Sequence, residues 1–145
     1  MKIEMEGFRE LERALAEDLP KATAKNVLRR SAKNAMKPLE ERARQLVRKD
    51  TGETGKSITT KSVRASRFAT HKGIAVETGP TGRQEGGTGA RLEFGSVTHP
   101  AYPFMRPAAD AEGLNVLKSI KGDLTEQIDK AKARIARKAA RAAKG

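Results

Sequence analysis

The stretch "ATAKNVLRRSAKNAMKPLEERARQLVR", residues 22–48, carries the longest helical pattern of the chain. Its apolar residues recur at the 3.6-residue spacing of an amphipathic helix, so one face is expected to pack on a core. These residues are Leu28, Ala32, Ala35, Met36, Leu39, Ala43, Leu46 and Val47. Pro38 cannot donate a backbone hydrogen bond inside the run, which predicts a kink near Asn34. We therefore expect the fold to form around one long, kinked helix.

Shorter patterns precede this helix. Residues 2–6, "KIEME", alternate apolar and charged side chains and predict a short strand. Residues 7–19 then follow helical spacing until Pro20 ends the run.

Strand-like segments follow the long helix. They are residues 57–66, 73–79 and 89–95, which are rich in β-branched residues or bounded by glycines. In the third, Leu92 and Phe94 would share one face. Between the last two segments lies "GPTGRQEGGTG", whose glycines predict a flexible loop, either a partner-binding arm or a slack connection.

The last third of the chain is helical again. The proline-rich stretch 99–110 is expected to be extended until Pro107, which suits a first helical turn. Apolar residues at helical spacing follow it: Leu117, Ile120, Leu124 and Ile128. The whole pattern predicts an α+β fold, in which a small antiparallel sheet packs against the long kinked helix and a C-terminal helix. Residues 1–129 would form one domain, and residues 130–145 a basic helical tail.

Composition narrows the possible functions. The chain has 30 Lys and Arg against 18 Asp and Glu, a net charge of +12, and this excess favours a polyanionic partner. Aromatic residues make up only 3%, which predicts a thin aliphatic core. The absence of cysteine excludes disulfides and cysteine-based zinc sites, and two histidines are too few to suggest a metal site. No apolar run could span a bilayer and no apolar signal segment follows Met1, so we expect a soluble protein of a reducing compartment without membrane contact.

The segment "KDTGETGKSI", residues 49–58, imitates two catalytic motifs. A phosphate-binding loop would need glycine where Asp50 stands, and a strand before the loop rather than a helix. A catalytic Asp-Thr-Gly would follow an apolar strand, whereas a charged helix end precedes this one. Asp50, Thr51 and Gly52 are better explained as a helix-to-strand hinge. Glu93 and His99 could pair, but no nucleophile accompanies them, so we predict no catalytic, cofactor-binding or metal-binding residues and no enzyme activity.

Two passages together resemble a known family. The first is Asp50-Thr51-Gly52 followed by Ser57-Ile58, after a long helix. The second consists of Glu93, Phe94 and Gly95, then Pro103, Phe104, Arg106 and Pro107, before the last helix. In this order they resemble the tail-completion family of long-tailed bacteriophages, the gene-ten-like family of Hong Kong ninety-seven type phages, over about residues 3–120. The chain has Arg48-Lys49 where the family has Pro-Val.

The resemblance implies a structural protein of the virion, a tail-completion, tail-terminator or neck component of the head–tail junction that is assembled in the host cytoplasm. It implies a homo-oligomeric ring, a hexamer in the virion and monomeric before assembly, that joins the tail tube to the head connector. Its partners would be tail-tube and head-closure proteins, and genomic DNA would pass close by. No cofactor is implied.

The C-terminal tail is strongly basic. At about 100° per residue, five cations fall on one side of the helix: Lys130, Arg134, Arg137, Arg141 and Lys144. We call them the basic stripe. Like charges stacked on one face destabilise a helix until an anion faces them. A solvated terminus is one explanation, and contact with DNA or with an acidic surface of an adjoining ring is the other. The alternative function is therefore nucleic-acid binding without sequence preference, although few aromatics are present to stack on bases.

Overall fold

The computed structural model describes residues 7–49, 52–64 and 73–144. The elements in these ranges are α1 (Phe8–Glu17), α2 (Lys21–Ala35), α3 (Lys37–Leu46), α4 (Glu53–Ser57), β1 (Ile58–Arg64), β2 (Ile74–Pro80), α5 (Arg83–Phe94) and α6 (Met105–Ala142). The predicted strand at residues 2–6 and the hinge residues Asp50 and Thr51 lie outside the described residues.

The predicted α+β class is confirmed, with a two-stranded antiparallel sheet, a kinked helix and a long C-terminal helix. The kink falls at Met36, where α2 ends and α3 begins. Pro38 lies in the first turn of α3, where the N–H that it lacks would have had no partner within the helix. The proline therefore ends one helix and starts the next, close to the position predicted from the sequence.

The core lies between α6 and the α2–α3 pair, which run antiparallel to it. It has three clusters of buried apolar residues: Leu19, Ala24, Val27, Leu124, Ile128 and Ala131; Ala35, Leu39 and Val116; and Ala43, Val47, Ile58, Phe104 and Ala108. Alanine is frequent on both sides of this interface, so the helices approach closely and bury little area per residue. Most of these buried residues are aliphatic, and Phe104 is an aromatic member of the third cluster.

Both strands of the sheet pack against the long helices α2 and α3. β1 pairs with β2 from Ile58 opposite Pro80 to Arg64 opposite Ile74. Ile58 is fully buried in the third cluster. Thr60 joins the layers, because its hydroxyl lies 2.9 Å from a carboxylate oxygen of Glu40 on α3 and 2.7 Å from the Thr78 hydroxyl on β2.

Two predictions between β2 and α6 are wrong. Residues 89–95 are not a strand, because residues 89–94 form the last half of α5. Most of the predicted flexible loop also belongs to β2 or α5, so that only Thr81 and Gly82 connect them. Side chains two residues apart point to the same face of a strand, but in a helix their directions differ by about 200°. Accordingly, Leu92 packs on the core while Phe94 is 72% exposed.

Helix α6 is continuous across residues 129 and 130, and its last buried residue is Ala131. The described part of the basic tail is therefore an extension of a core helix. It projects about 16 Å beyond Ala131 at the rise of an α-helix. The division into a domain, 1–129, and a tail, 130–145, stays a prediction.

Candidate functional site: a carboxylate clip and a basic helix end

The carboxylate of Glu93, near the end of α5, holds the beginning of α6. Its Oε2 accepts the backbone N–H groups of Phe104 and Met105, both at 2.8 Å. Its Oε1 accepts the N–H of Arg106 at 3.1 Å and the Nε–H of the same residue at 2.9 Å. The first N–H groups of a helix have no partner inside it, and Pro107 has none to satisfy. We call this arrangement the Glu93 clip.

The clip keeps Glu93 ionised. Burial opposes ionisation and is the largest single influence on this carboxyl, which is only 5% exposed. The N–H groups of Phe104 and Met105, followed by the Arg106 side chain and N–H, outweigh it together and hold the pKa of Glu93 below its usual value. The carboxylate thus accepts the backbone N–H groups of Phe104, Met105 and Arg106, so it acts as a helix cap contributed from another element of the chain.

The residues after Glu93 reverse the chain at the end of α5. Gly95 has a φ of 77°, and a Cβ atom there would lie 3.0 Å from the backbone N of Ala101 and 3.1 Å from the carbonyl oxygen of His99. Only glycine fits this position without strain. Phe94 stays outside the core, and the guanidinium carbon of Arg106 lies 5.3 Å from the centre of its ring.

The structure thus brings the two halves of the second family motif together. Phe104 is 1% exposed and anchors the start of α6 in the third cluster. Arg106 bonds the carboxylate of Glu93, and its NH2 group also donates to the Glu93 carbonyl oxygen at 2.9 Å. Pro103 and Pro107 are exposed on either side of this anchor. The motif therefore has an evident structural role, the fixing of α5 onto α6.

Beside the clip, three large apolar side chains face solvent. Phe94, the last residue of α5, is exposed, as are Val97 and Tyr102 on the connection to α6, and we call these three residues the junction patch. The connection is held in place, since the Tyr102 N–H donates to the Leu92 carbonyl at 2.7 Å. The guanidinium carbon of Arg48 also lies 5.0 Å from the centre of the Tyr102 ring. An exposed apolar group on a fixed backbone is typical of a contact surface.

Of the first motif, the structure describes Gly52 before α4, Ser57 at the end of α4 and Ile58 at the start of β1. Gly52 has a φ of 79° and precedes α4, a helix of five residues that leads directly into β1. Within it, Lys56 Nζ lies 2.8 Å from a carboxylate oxygen of Glu53. In the described residues, α4 lies between α3 and β1. The assignment of Asp50, Thr51 and Gly52 as a hinge stays a prediction.

The basic stripe lies on the projecting end of α6. Its five side chains are exposed. Lys130 binds the carboxylate of Glu126 one turn earlier, which lowers the pKa of Glu126. Among the described residues, no hydrogen bond or ion pair engages the side chains of Arg134, Arg137, Arg141 or Lys144. These four positive charges are therefore free to meet an anion.

The His99 ring does not bond Glu93, and its Nδ1 lies 2.8 Å from the Thr98 hydroxyl. Residues 7–49, 52–64 and 73–144 contain no group of three or more metal-binding side chains. No helix in the part of the chain that the structure describes is long and apolar enough to cross a membrane.

Comparisons of the chain with models of protein families, with curated proteins and with solved structures found no match.

The role of Glu93 was not foreseen from the sequence, although the residue was singled out. One signal could have found it. The residue at the N-cap of α6, Phe104, has no side chain that could accept a hydrogen bond, and none of the residues in the first turn is acidic. A helix that begins this way needs an acceptor from elsewhere.

Proposed function

We propose that this protein is a structural subunit of the head–tail junction of a long-tailed bacteriophage, a tail-completion or neck component that forms a ring between the tail tube and the head connector. The proposal rests on the resemblance of its two motifs to that family. The observation that carries it furthest is the junction patch. Phe94, Val97 and Tyr102 are exposed at the end of α5 and on the connection to α6, whose start the Glu93 clip holds.

A fixed apolar patch suits contact with a second copy of the same subunit. Interfaces gain most of their affinity from a few well-placed aromatic and apolar anchors, and the gain is larger when these need not be ordered on binding. Phe94 and Tyr102 are such anchors, each with an arginine over its ring. A single pair of these small surfaces would bind weakly, whereas a closed ring uses every patch at once. Such a subunit is monomeric when dilute and assembles on its partner.

Size-exclusion chromatography with light scattering tests this proposal. The expected result is a ring-sized oligomer, alone at high concentration or after addition of tail-tube protein. The double variant Phe94→Ser/Val97→Ser should lose the oligomer and keep its melting temperature, because both side chains are exposed. Leu114→Ser is the matched control, since Leu114 is similarly exposed on α6 but outside the patch. A wild-type chain that stays monomeric under both conditions contradicts the proposal.

A second function is favoured by the basic stripe. Arg134, Arg137, Arg141 and Lys144, on and just after the end of α6, have no ion-pair partner among the described residues, which suits nucleic-acid binding without sequence preference, through phosphates alone. A monomer that shifts any duplex DNA would support this function over the first. Replacement of the five stripe residues by glutamine should then abolish salt-sensitive DNA retention.

A further inference from the structure

A basic groove lies between α2 and α6, next to the stripe. It has a volume of about 410 Å³ and its floor is formed by Val27 and Ala131. Its walls carry three cations and three uncharged hydrogen-bonding side chains: Arg30, Lys130, Arg134, Thr23, Asn26 and Gln127. The groove exists only because α2 runs antiparallel to α6, which places the first half of α2 beside the point where α6 leaves the core.

The charges in the groove are suited to phosphate. No hydrogen bond or ion pair occupies the side chains of Arg30 and Arg134 in the described ranges, so both guanidinium groups are free. A guanidinium binds phosphate through two parallel hydrogen bonds, which a lysine amine does not match. Arg30 stands on α2 and Arg134 on α6. A phosphate between the two helices could therefore be approached from both walls.

The acidic residues of α6 all lie before Lys130, so the negative charge of this helix near the groove is confined to its inner end. Asp123 accepts a hydrogen bond from Asn34 at 3.3 Å, about one turn of α6 before Gln127, and so places a negative charge at the inner end. Glu126 is bound to Lys130. From Arg134 outward the stripe is purely cationic, so the electrostatic potential favours an anion that enters the groove from the free end of α6.

We infer that this groove binds the phosphate backbone of duplex nucleic acid, and that the basic stripe extends the same track. The inference deepens the second function of the previous section and rests on it. Duplex is favoured over single strands because no aromatic side chain lines the groove, and single-strand binding relies on stacking of bases on aromatic rings. Thr23, Asn26 and Gln127 would add hydrogen bonds to phosphate oxygens without reading the bases.

Fluorescence anisotropy with a labelled duplex of arbitrary sequence, titrated at several salt concentrations, tests the inference. In the variant Arg30→Gln/Arg134→Gln we expect roughly tenfold weaker binding, and a log–log salt slope reduced by about two because two phosphate contacts are lost. The control is Arg9→Gln/Arg42→Gln, which removes the same charge from exposed positions outside the groove. It should change the slope far less. All four arginines are exposed, so melting temperatures should be unchanged.

The possible failures are distinguishable. If the wild-type chain does not bind duplex at low salt, both the second function and the groove are refuted. If it binds, but the groove variant and the control variant weaken binding equally, the function stands and the groove assignment is overturned. Polyglutamate is the probe for an acidic protein surface. Tighter binding of polyglutamate than of duplex, with the same dependence on Arg30 and Arg134, would reassign the groove to an acidic partner.

Discussion

Replacement of Glu93 by glutamine removes a buried negative charge that receives four hydrogen bonds at the start of α6. Glutamine keeps one acceptor oxygen. Its NH2 group replaces the other oxygen and must face the donors that this oxygen had bound. The least costly orientation keeps the bonds from the N–H groups of Phe104 and Met105. The N–H of Arg106 then loses its acceptor, while the Arg106 side chain, which is 61% exposed, turns to water.

The expected loss follows from these contacts. A buried donor without an acceptor costs about 1–3 kcal/mol, and the bonds that survive lose the strengthening of a charged acceptor. The favourable interaction of a carboxylate with a helix N-terminus adds about 0.3–1 kcal/mol. The ion pair with Arg106 contributes little because the guanidinium is largely solvated. Glu93→Gln should therefore destabilise the protein by roughly 2–3 kcal/mol, a substantial share of the stability of a small domain.

The pH dependence provides a second test of the clip. Because the folded-state pKa of Glu93 is lowered, the stabilisation is complete above the unfolded-state pKa of about 4.3. It is lost as the pH falls through the folded-state pKa, since the unfolded chain then binds the proton more tightly. The difference in free energy of unfolding between wild type and Glu93→Gln should thus be constant near pH 7 and shrink in acid.

Urea denaturation followed by circular dichroism at pH 7 and at several values below pH 4.5 measures both effects. Glu41→Gln is the matched control, because Glu41 is exposed on α3 and its replacement should cost less than about 0.5 kcal/mol. A Glu93→Gln protein as stable as this control at pH 7 would refute the reasoning. So would a wild type and variant that lose stability in parallel as the pH falls.

Two further substitutions test the packing. Ser31→Ala should raise the free energy of unfolding by about 1 kcal/mol, since the buried Ser31 hydroxyl has no hydrogen-bond partner among the described residues and alanine is the better helix former. Thermal denaturation, with Ala32→Ser as the reverse control, would measure the change. A less stable variant would show that the hydroxyl is satisfied. Gly95→Ala should lower the melting temperature, with a cost of about 1–3 kcal/mol from the positive φ and the contact with Ala101, whereas Gly113→Ala, at an open helical position, should stabilise slightly.

Much of this fold could be predicted from periodicity. The spacing of apolar residues in 22–48 predicted the long helix, and Pro38 predicted its kink, because a missing N–H and a ring clash act locally. The strand predictions at 57–66 and 73–79, made from β-branched residues between glycines, contain most of β1 and β2, and α6 was recognised from its apolar stripe. These signals are reliable because each depends on neighbours within one or two turns of the chain.

Helix α5 could not be recognised in the same way. Its glycines and the short alternation around Leu92 and Phe94 favour a loop and a strand locally. Tertiary contacts override that preference, since Leu92 packs on the core and Glu93 caps another helix only if the segment is helical. The free energy gained from these contacts exceeds the cost of placing glycines in a helix, which is about 1 kcal/mol for each glycine.

By itself, the sequence determined the helices with clear periodicity, the two strands and the one-sided charge of the C-terminal helix, because all of these depend on spacing along the chain. The tertiary structure alone decided which distant groups meet. It joined Glu93 to the start of α6, left Phe94 and Tyr102 exposed, and placed Arg30 across a groove from Arg134. No local pattern encodes such pairings, since they arise from the packing of α2, α5 and α6 around a shared core.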